Sequence, residues 1–521
     1  MKRVVKIASA FLLAAAALGY AAKGPEVPST RILVIPVEFS DLSFSYSPDT
    51  LIQFLNSEDF KLEGACGSVK KYFSDQFGTK TEFIFDLAPV VTLPYVHAHY
   101  GANDPYGDDV NPGGVVIDAC NALKDSLDFS VYDNDSDGEL DHLVFIYAGR
   151  DESDGGNPDC LWSHSYRLSE TSKTLKLNGV SIDLYCCVSE LGPSDDGPRL
   201  AGIGRFCHEL LHTFGLPDFY DTQFSNIQAY YSAGLWGSTS IMDKGFLNNG
   251  GHTPPNLNAI EREILGLGSP IDYSDSKIQL RPIENGEWFR MESDTPDEYY
   301  LAEYRSGKGW DEHIGGHGML VYHIDKSGND CGEIAGRVVS SASRWEHNIV
   351  NGNPLHQCAD LIEASADIDR IWRYSNIDSL RLPLLFFPAG ASELGAETKP
   401  ELRHWSGKYA RMSFSSIAES YPDAVSFQLK YNAPVEDSGD VPHINTECFP
   451  QNGEGFLVKD SRVPLKVDNA KDSEVQWYAD DIPIQTDADG RIVLDRSFCL
   501  KAKVLGPDGK TIILTKEIRV K

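Results

Sequence analysis

The stretch CHELLHTFGLPD, Cys207 to Asp218, sets two imidazoles four positions apart with a carboxylate beside the first. On a helix, residues four apart share a face, so His208 and His212 can present two nitrogens to one ion. Glu209 lies next to them, within reach of a water held there. Gly215 is suited to end the helix with a positive φ and turn the chain sharply. That turn, stiffened by Pro217, swings Asp218 back toward the same ion. Two neutral imidazoles and one carboxylate, with a fourth position left to water, form the donor set of a catalytic zinc site.

A second stretch, DNDSDGELD from Asp133 to Asp141, places acidic side chains at alternate positions with glycine sixth. This is the front of an EF-hand-like calcium loop, with Asp133, Asp135, Asp137, the backbone carbonyl of Glu139, and Asp141 as ligands. Val144 stands where such a loop normally closes with a bidentate Glu, so the last ligand must differ. Five carboxylates within nine residues repel one another unless a cation lies among them. The expected role is structural.

The elements that must position these residues follow from periodicity. RILVIPVEF (31–39) and HLVFIYA (142–148) read as buried strands, and VSIDLYCCVSEL (180–191) as one more, just before the metal helix. Lying there, that last strand is expected to run along the cleft and pair with an extended substrate. Helical patterns fall at 49–55, at 68–77 and in GGVVIDACNALKDSL. The fold class is therefore α+β: a mixed twisted sheet with an active-site helix over 29–270. A β-rich domain packed on it spans 271–432, and a linker rich in Pro, Gly and acidic residues spans 433–442. Residues 443–521 read as a small immunoglobulin-like β-sandwich, with Cys448 and Cys499 as the expected disulfide.

The net charge of −31 repels nucleic acid and anionic lipid, so no nucleic-acid partner is expected. Residues 1–22 carry a basic start, an apolar run and a small-residue close, the pattern of a secretory signal peptide. No other stretch is long and apolar enough to span a membrane. The expected location is extracellular or periplasmic, and ten cysteines suit such an oxidising compartment. The tail is expected either to contact a substrate, a glycan or a cell surface, or to serve as a bare spacer.

HELLHTFGLPD resembles the HExxHxxGxxD signature of the immune inhibitor A peptidases, secreted metzincin-like zinc proteases. GSVKKYFSDQFG, DFSVYDNDSDGELDHLVFIYAG and LWSHSY resemble the upstream part of that catalytic domain. GLWGSTSIMDKG, PPNLNAIEREILGLGSP, EYYLAEYR and GMLVYHID resemble the downstream part. The resemblance covers about residues 31–432. It implies a zinc metalloendopeptidase acting on protein or peptide substrates. His208, His212 and Asp218 are then the zinc ligands, Glu209 is the general base, and Met242 in SIMD is the Met-turn beneath the ion. Lys244 stands two residues after Met242, where metzincins that use a tyrosine to stabilise the transition state carry it, so the oxyanion partner is open. His164 is a candidate cleft residue. A downstream glutamate, Glu261 or Glu263, is the rival third ligand by analogy with gluzincins. The rival function is a catalytically silent binding or adhesion protein on the same scaffold.

Overall fold

The computed structural model describes residues 29–222, 235, 237–365 and 382–431 apart from 155–156, 195, 273–275, 335–336, 354–355, 397 and 407–408, and in the tail 443–445, 457–468, 475–480, 482–505, 511–518 and 520. The expected leader, the 433–442 linker and Cys448 fall outside these residues, so one partner of the expected Cys448–Cys499 bridge is not described. Cys120, Cys186, Cys187 and Cys207 are buried thiols, and burial pushes all four well up.

Strands β1 (Ser29–Glu38), β2 (Glu82–Leu87), β3 (Val91–Thr92), β4 (Leu143–Arg150) and β5 (His164–Arg167) alternate with helices α1 (Pro48–Asn56), α2 (Val69–Phe77), α3 (His97–Gly101) and α4 (Pro112–Leu123). A small hairpin, β6 (Leu175–Leu177) and β7 (Val180–Ile182), precedes β8 (Leu184–Leu191) and helix α5 (Ile203–Thr213). The main sheet runs β2-β1-β4-β8-β5, with β3 also on β1. Its pairs are parallel except β5, which lies antiparallel on Leu184–Cys187 of β8 and forms the edge.

Alternation along β1 explains the layering. Ile32 and Val34 face a core built by α1, α2 and α5, whereas Leu33, Ile35 and Val37 face α3 and α4. Both faces are covered, which is why β4 and β8 read as continuous apolar runs. The helices begin where side chains satisfy their free N–H groups: Ser47 caps α1 and Ser68 caps α2.

Two expectations need correction. The run 180–191 is not one strand, because Asp183 interrupts it. Its carboxylate accepts from Ser169 N and Arg167, and its carbonyl accepts from Leu168 N, so its backbone is used outside the ladder. Nor is the first half of β8 free to pair with a substrate, since β5 covers Leu184–Cys187 and the open edge beside it belongs to β5.

Beyond α6 (Ala259–Leu265) come β9 (Ser269–Pro270), β10 (Lys277–Leu280), β11 (Glu287–Glu292), β12 (Glu298–Arg305) and β13 (Gly318–Asp325). The hairpin β14 (Asp330–Ile334) and β15 (Arg337–Ser340), helix α7 (Ser341–Glu346), β16 (Ala359–Ile362), β17 (Met412–Ser420) and β18 (Ala424–Tyr431) complete this unit. The sheet β16-β13-β12-β11-β9 turns Trp288, Tyr299, Leu301, Leu320 and Tyr322 into the core that α5 and α6 share. Its other face packs Phe289, Tyr300 and Val321 against the sheet β10-β18-β17. Residues 432–521 form a second compact unit of antiparallel strands around Val463, Leu500, Ala502 and Ile518. Among the described residues no helix is long and apolar enough to cross a membrane.

Candidate metal centre

Helix α5 packs Ile203, Phe206, Cys207, Leu210 and Leu211 against the sheet, and the Cys186 thiol of β8 donates to the Glu209 carbonyl. Its start lies against the segment 245–251. A Cβ on Gly204 would come within 2.0 Å of the Phe246 carbonyl oxygen, so only glycine allows this approach. At the other end Gly215 adopts φ +94°, and the Gly215 and Leu216 N–H groups donate to the His212 and Leu211 carbonyls. The chain reverses there and brings Asp218 back over the helix.

The result is a buried triad. His208 Nε2 and His212 Nε2 lie 3.2 and 3.4 Å from Asp218 Oδ1. Ligands on a tetrahedron with metal bonds of about 2.0–2.1 Å stand about 3.3 Å apart. The imidazoles are fixed by their far nitrogens: His208 Nδ1 donates to the Ile241 carbonyl at 2.7 Å and His212 Nδ1 to the Leu216 carbonyl at 2.8 Å. A carbonyl only accepts, so the proton of a neutral ring is on Nδ1 and the Nε2 lone pair faces Asp218. Asp218 Oδ1 is buried with no hydrogen-bond donor of its own. Three acceptors aimed at one point fit a cation. Electrostatics agree: burial alone would depress His212, yet the Asp218 carboxylate outweighs it and lifts the imidazole to about 9. Burial likewise works against a charged Asp218, and the two imidazoles overcome it and hold the carboxyl far below its usual range. The cluster draws positive charge, and a metal entering it displaces a proton.

Glu209 is buried beside the triad. Burial pushes its carboxyl up, with His208, His212 and Arg205 offsetting part of the rise. The turn carrying Ile241 and Met242 contacts His208 and Phe219. Met242 is fully buried, and its carbonyl accepts from Phe219 N at 2.8 Å, while Ile241 holds His208.

Three further residues support this arrangement, and two of them, Asn348 and Arg305, escape sequence reasoning. Asn348, 130 positions after Asp218, clamps it twice: its Oδ1 accepts from Asp218 N at 2.6 Å and its Nδ2 donates to Asp218 Oδ2 at 2.9 Å. Glu261 is not in the triad. Its Oε1 accepts from Ser240 Oγ and Met242 N and its Oε2 from Asn258 N, so it ties the Met242 turn to α6. Burial pushes this carboxyl up to about 7. Arg305 reaches the same turn through the Thr239 carbonyl. No local pattern marks Asn348 or Arg305, whereas Glu261 closes a capping box with Asn258 three residues before it.

His164 sits on the edge strand β5. Its Nδ1 donates to the Trp162 carbonyl and its ring packs edge-on against Tyr185. In the acidic loop, Asp133, Asp135 and Asp141 bring ligand atoms within 4.8 Å of one another. Asp137 Oδ1 instead accepts from Glu139 N, at 2.9 Å. Ser136 and Gly138, both at positive φ, bend the loop, and Asn134 ties it to the backbone of Arg31 in β1. Burial, joined by Asp135 and Asp137, lifts Asp141 to about 6 although the Asn134 N–H opposes it.

Part of the chain is similar to known proteins. Residues 38–265 match the model of the immune inhibitor A peptidase M6 catalytic domain. Immune inhibitor A of Bacillus thuringiensis subsp. alesti is 28% identical over 257 residues, which cover 40% of this chain and 37% of that protein. Pre-pro-metalloprotease PrtV of Vibrio cholerae serotype O1 is 27% identical over 214 residues, covering 36% of this chain and 22% of that protein. The chain thus spans well under half the length of either relative.

Proposed function

We propose that the protein is a secreted, zinc-dependent endopeptidase hydrolysing peptide bonds in extracellular proteins, a reading supported by the match of residues 38–265 to the immune inhibitor A peptidase M6 catalytic domain. The observation that carries the reading is the convergence of three bare, buried ligand atoms from His208, His212 and Asp218, with the Glu209 carboxylate alongside. Zinc bound there supplies Lewis acidity toward a carbonyl oxygen and acidifies water.

The remaining work belongs to the chain. Backbone carbonyls keep both imidazoles in the tautomer that offers Nε2, and Asn348 keeps the Asp218 carboxylate facing them. Glu209 takes a proton from the attacking water and passes it to the leaving amine. The open edge of β5 is the backbone available to an extended peptide, so β5 replaces β8 as the strand that aligns substrate. Purified protein should contain one zinc per chain and digest casein or gelatin, with activity lost to a chelator and restored by zinc. Zinc binding without hydrolysis of any protein would favour the silent binding protein instead.

Asn348 gives a sharper expectation. Replacing a partner that orients a metal ligand typically costs about 10- to 100-fold in metal affinity. Asn348→Ala should weaken zinc binding by about that factor in a competitive chelator titration. Wild-type affinity would show that the clamp is dispensable.

The loop 133–141 is read as a structural calcium site, with Asp133, Asp135 and Asp141 as the carboxylates that meet. The cation relieves their repulsion and pins the loop between β1 and β4. Calcium added to chelated protein should raise its melting temperature, and Asp135→Asn should shrink that rise. A melting curve indifferent to calcium would remove the site.

A further inference from the structure

Two stretches of chain meet just before the edge strand β5, and both are acidic. Residues 94–120 and 151–164 hold four Asp or Glu each and neither Lys nor Arg. Their backbones touch: a Cβ on Gly101, the last residue of α3, would fall 2.4 Å from Leu161 N, and Asn103 N donates to the Pro158 carbonyl at 3.1 Å. Trp162 N donates to Asp109 Oδ2, and Asn103 Nδ2 to Glu152 Oε1. Arg205 answers Asp151 and Asp154, and the Tyr100 hydroxyl donates to Asp118. Asp104, Asp109 and Glu152 are met by neutral N–H groups alone among the described residues, and Asp109 Oδ1 is buried without a donor. Burial, joined by neighbouring carboxylates, pushes Asp108 and Glu152 up and lifts Asp109 to about 8 although the Trp162 N–H opposes it. This surface is short of positive charge.

The same two stretches expose aromatic rings, with Tyr106 at 60% and Trp162 at 42%. Tyr106 sits in a turn fixed from within. Asp104 Oδ1 accepts from the N–H groups of Tyr106, Gly107 and Asp108, and Asn103 pairs with Asp109 across the base. Trp162 lies two residues before His164, where β5 begins. A peptide strand added to the open edge of β5 and running on past His164 therefore meets Trp162 and the segment of Asp109 bonded to it. Carboxylates beside exposed rings suit an organic cation. An ammonium or guanidinium gains from the face of a ring as well as from the charge, whereas a metal ion finds no ligand in tryptophan.

We propose that this surface docks lysine- or arginine-bearing segments of the polypeptide substrate that lie beyond the stretch pairing with β5. The inference rests on the peptidase reading above and adds to it a preference set away from the scissile bond. The substrate cation settles by the rings of Tyr106 and Trp162 and is drawn by Asp108 and Asp109. The same carboxylates repel an acidic segment, so the surface discriminates in both directions. Because the contacts lie on the rim, they act on capture of the substrate and leave the chemical step to the metal centre.

Two quenched fluorescent peptides that share one scissile sequence and carry either lysines or alanines at both flanks test this. The wild type should show a KM about 10-fold lower for the lysine peptide at equal kcat, the sum of one exposed cation–π contact and one rim ion pair. The preference should shrink as salt rises. In Tyr106→Ala and in Asp108→Asn, each a change at an exposed or half-exposed side chain, it should fall to about 3-fold. Anisotropy of the same two peptides, labelled and mixed with zinc-loaded Glu209→Gln protein, reads binding apart from turnover and should give the same ratios. Equal KM and equal affinity for the two peptides in the unsubstituted surface would overturn the proposal and leave the peptidase reading standing. So would a lysine preference that survives both substitutions. A wild type that hydrolyses neither peptide, yet binds the lysine one more tightly until Tyr106 or Asp108 is replaced, would sink the peptidase reading and keep the docking surface.

Discussion

Glu209→Gln should bind zinc as wild type does and lose about 10⁴-fold in kcat, the upper end of what general acid–base catalysis contributes. The upper end applies because one carboxylate serves both proton transfers, from water and to the amine. The substitution is nearly isosteric, and Glu209 uses its backbone carbonyl, not its side chain, to hold Cys186. Helix α5 should therefore keep its place, and both imidazoles keep their anchors at Ile241 and Leu216. Steady-state cleavage of a quenched fluorescent peptide beside metal analysis of the same sample reads both halves. Activity within tenfold of wild type would mean that another group takes the proton. Joint loss of zinc and activity would mean that Glu209 holds the site together instead of reacting in it.

Arg305→Met should lower the unfolding free energy by about 3–5 kcal/mol, the usual cost of leaving buried charge without its partner. Arg305 is fully buried and uses all five of its donors. Nε and Nη2 hold Asp311, Nη1 reaches Glu303 and the Thr239 carbonyl, and Nη2 also reaches the Asn256 carbonyl. Glu303 in turn accepts from Tyr322 and from Ala259 N at the start of α6. One guanidinium thus ties β12 to the turn carrying Ile241 and Met242 and to helix α6. Methionine fills the volume but leaves the buried Glu303 and Asp311 carboxylates without their cation. Denaturant unfolding measures the loss. Wild-type stability would show that the network carries no load.

The two substitutions mark where sequence reasoning reaches and where it stops. The metal triad is compact in sequence: a helical repeat of four, a glycine able to take positive φ and an aspartate three residues on. Local geometry is then nearly sufficient to bring His208, His212 and Asp218 together, and the structure does so. Buried strands such as β4 and capped helices such as α2 are legible for the same reason, since their signals lie within ten residues. Sheet order is different. That β5 forms the edge and β8 lies inside depends on pairing between distant segments, which no periodicity encodes. Asp183 breaks the run 180–191 through contacts with Arg167 and Ser169, again outside the local pattern. Asn348 and Arg305 are single polar residues whose importance lies wholly in what folding sets beside them.

The central claim is that His208, His212 and Asp218 hold one zinc. Anomalous diffraction at the zinc edge from crystals of the zinc-loaded protein tests it most directly. The expected map has one strong peak in this site, about 2.0–2.2 Å from His208 Nε2, His212 Nε2 and Asp218 Oδ1, with Asn348 still on the far oxygen of the aspartate. A peak ligated by Glu261, or Asp218 turned away from two imidazoles that no longer converge, would contradict it.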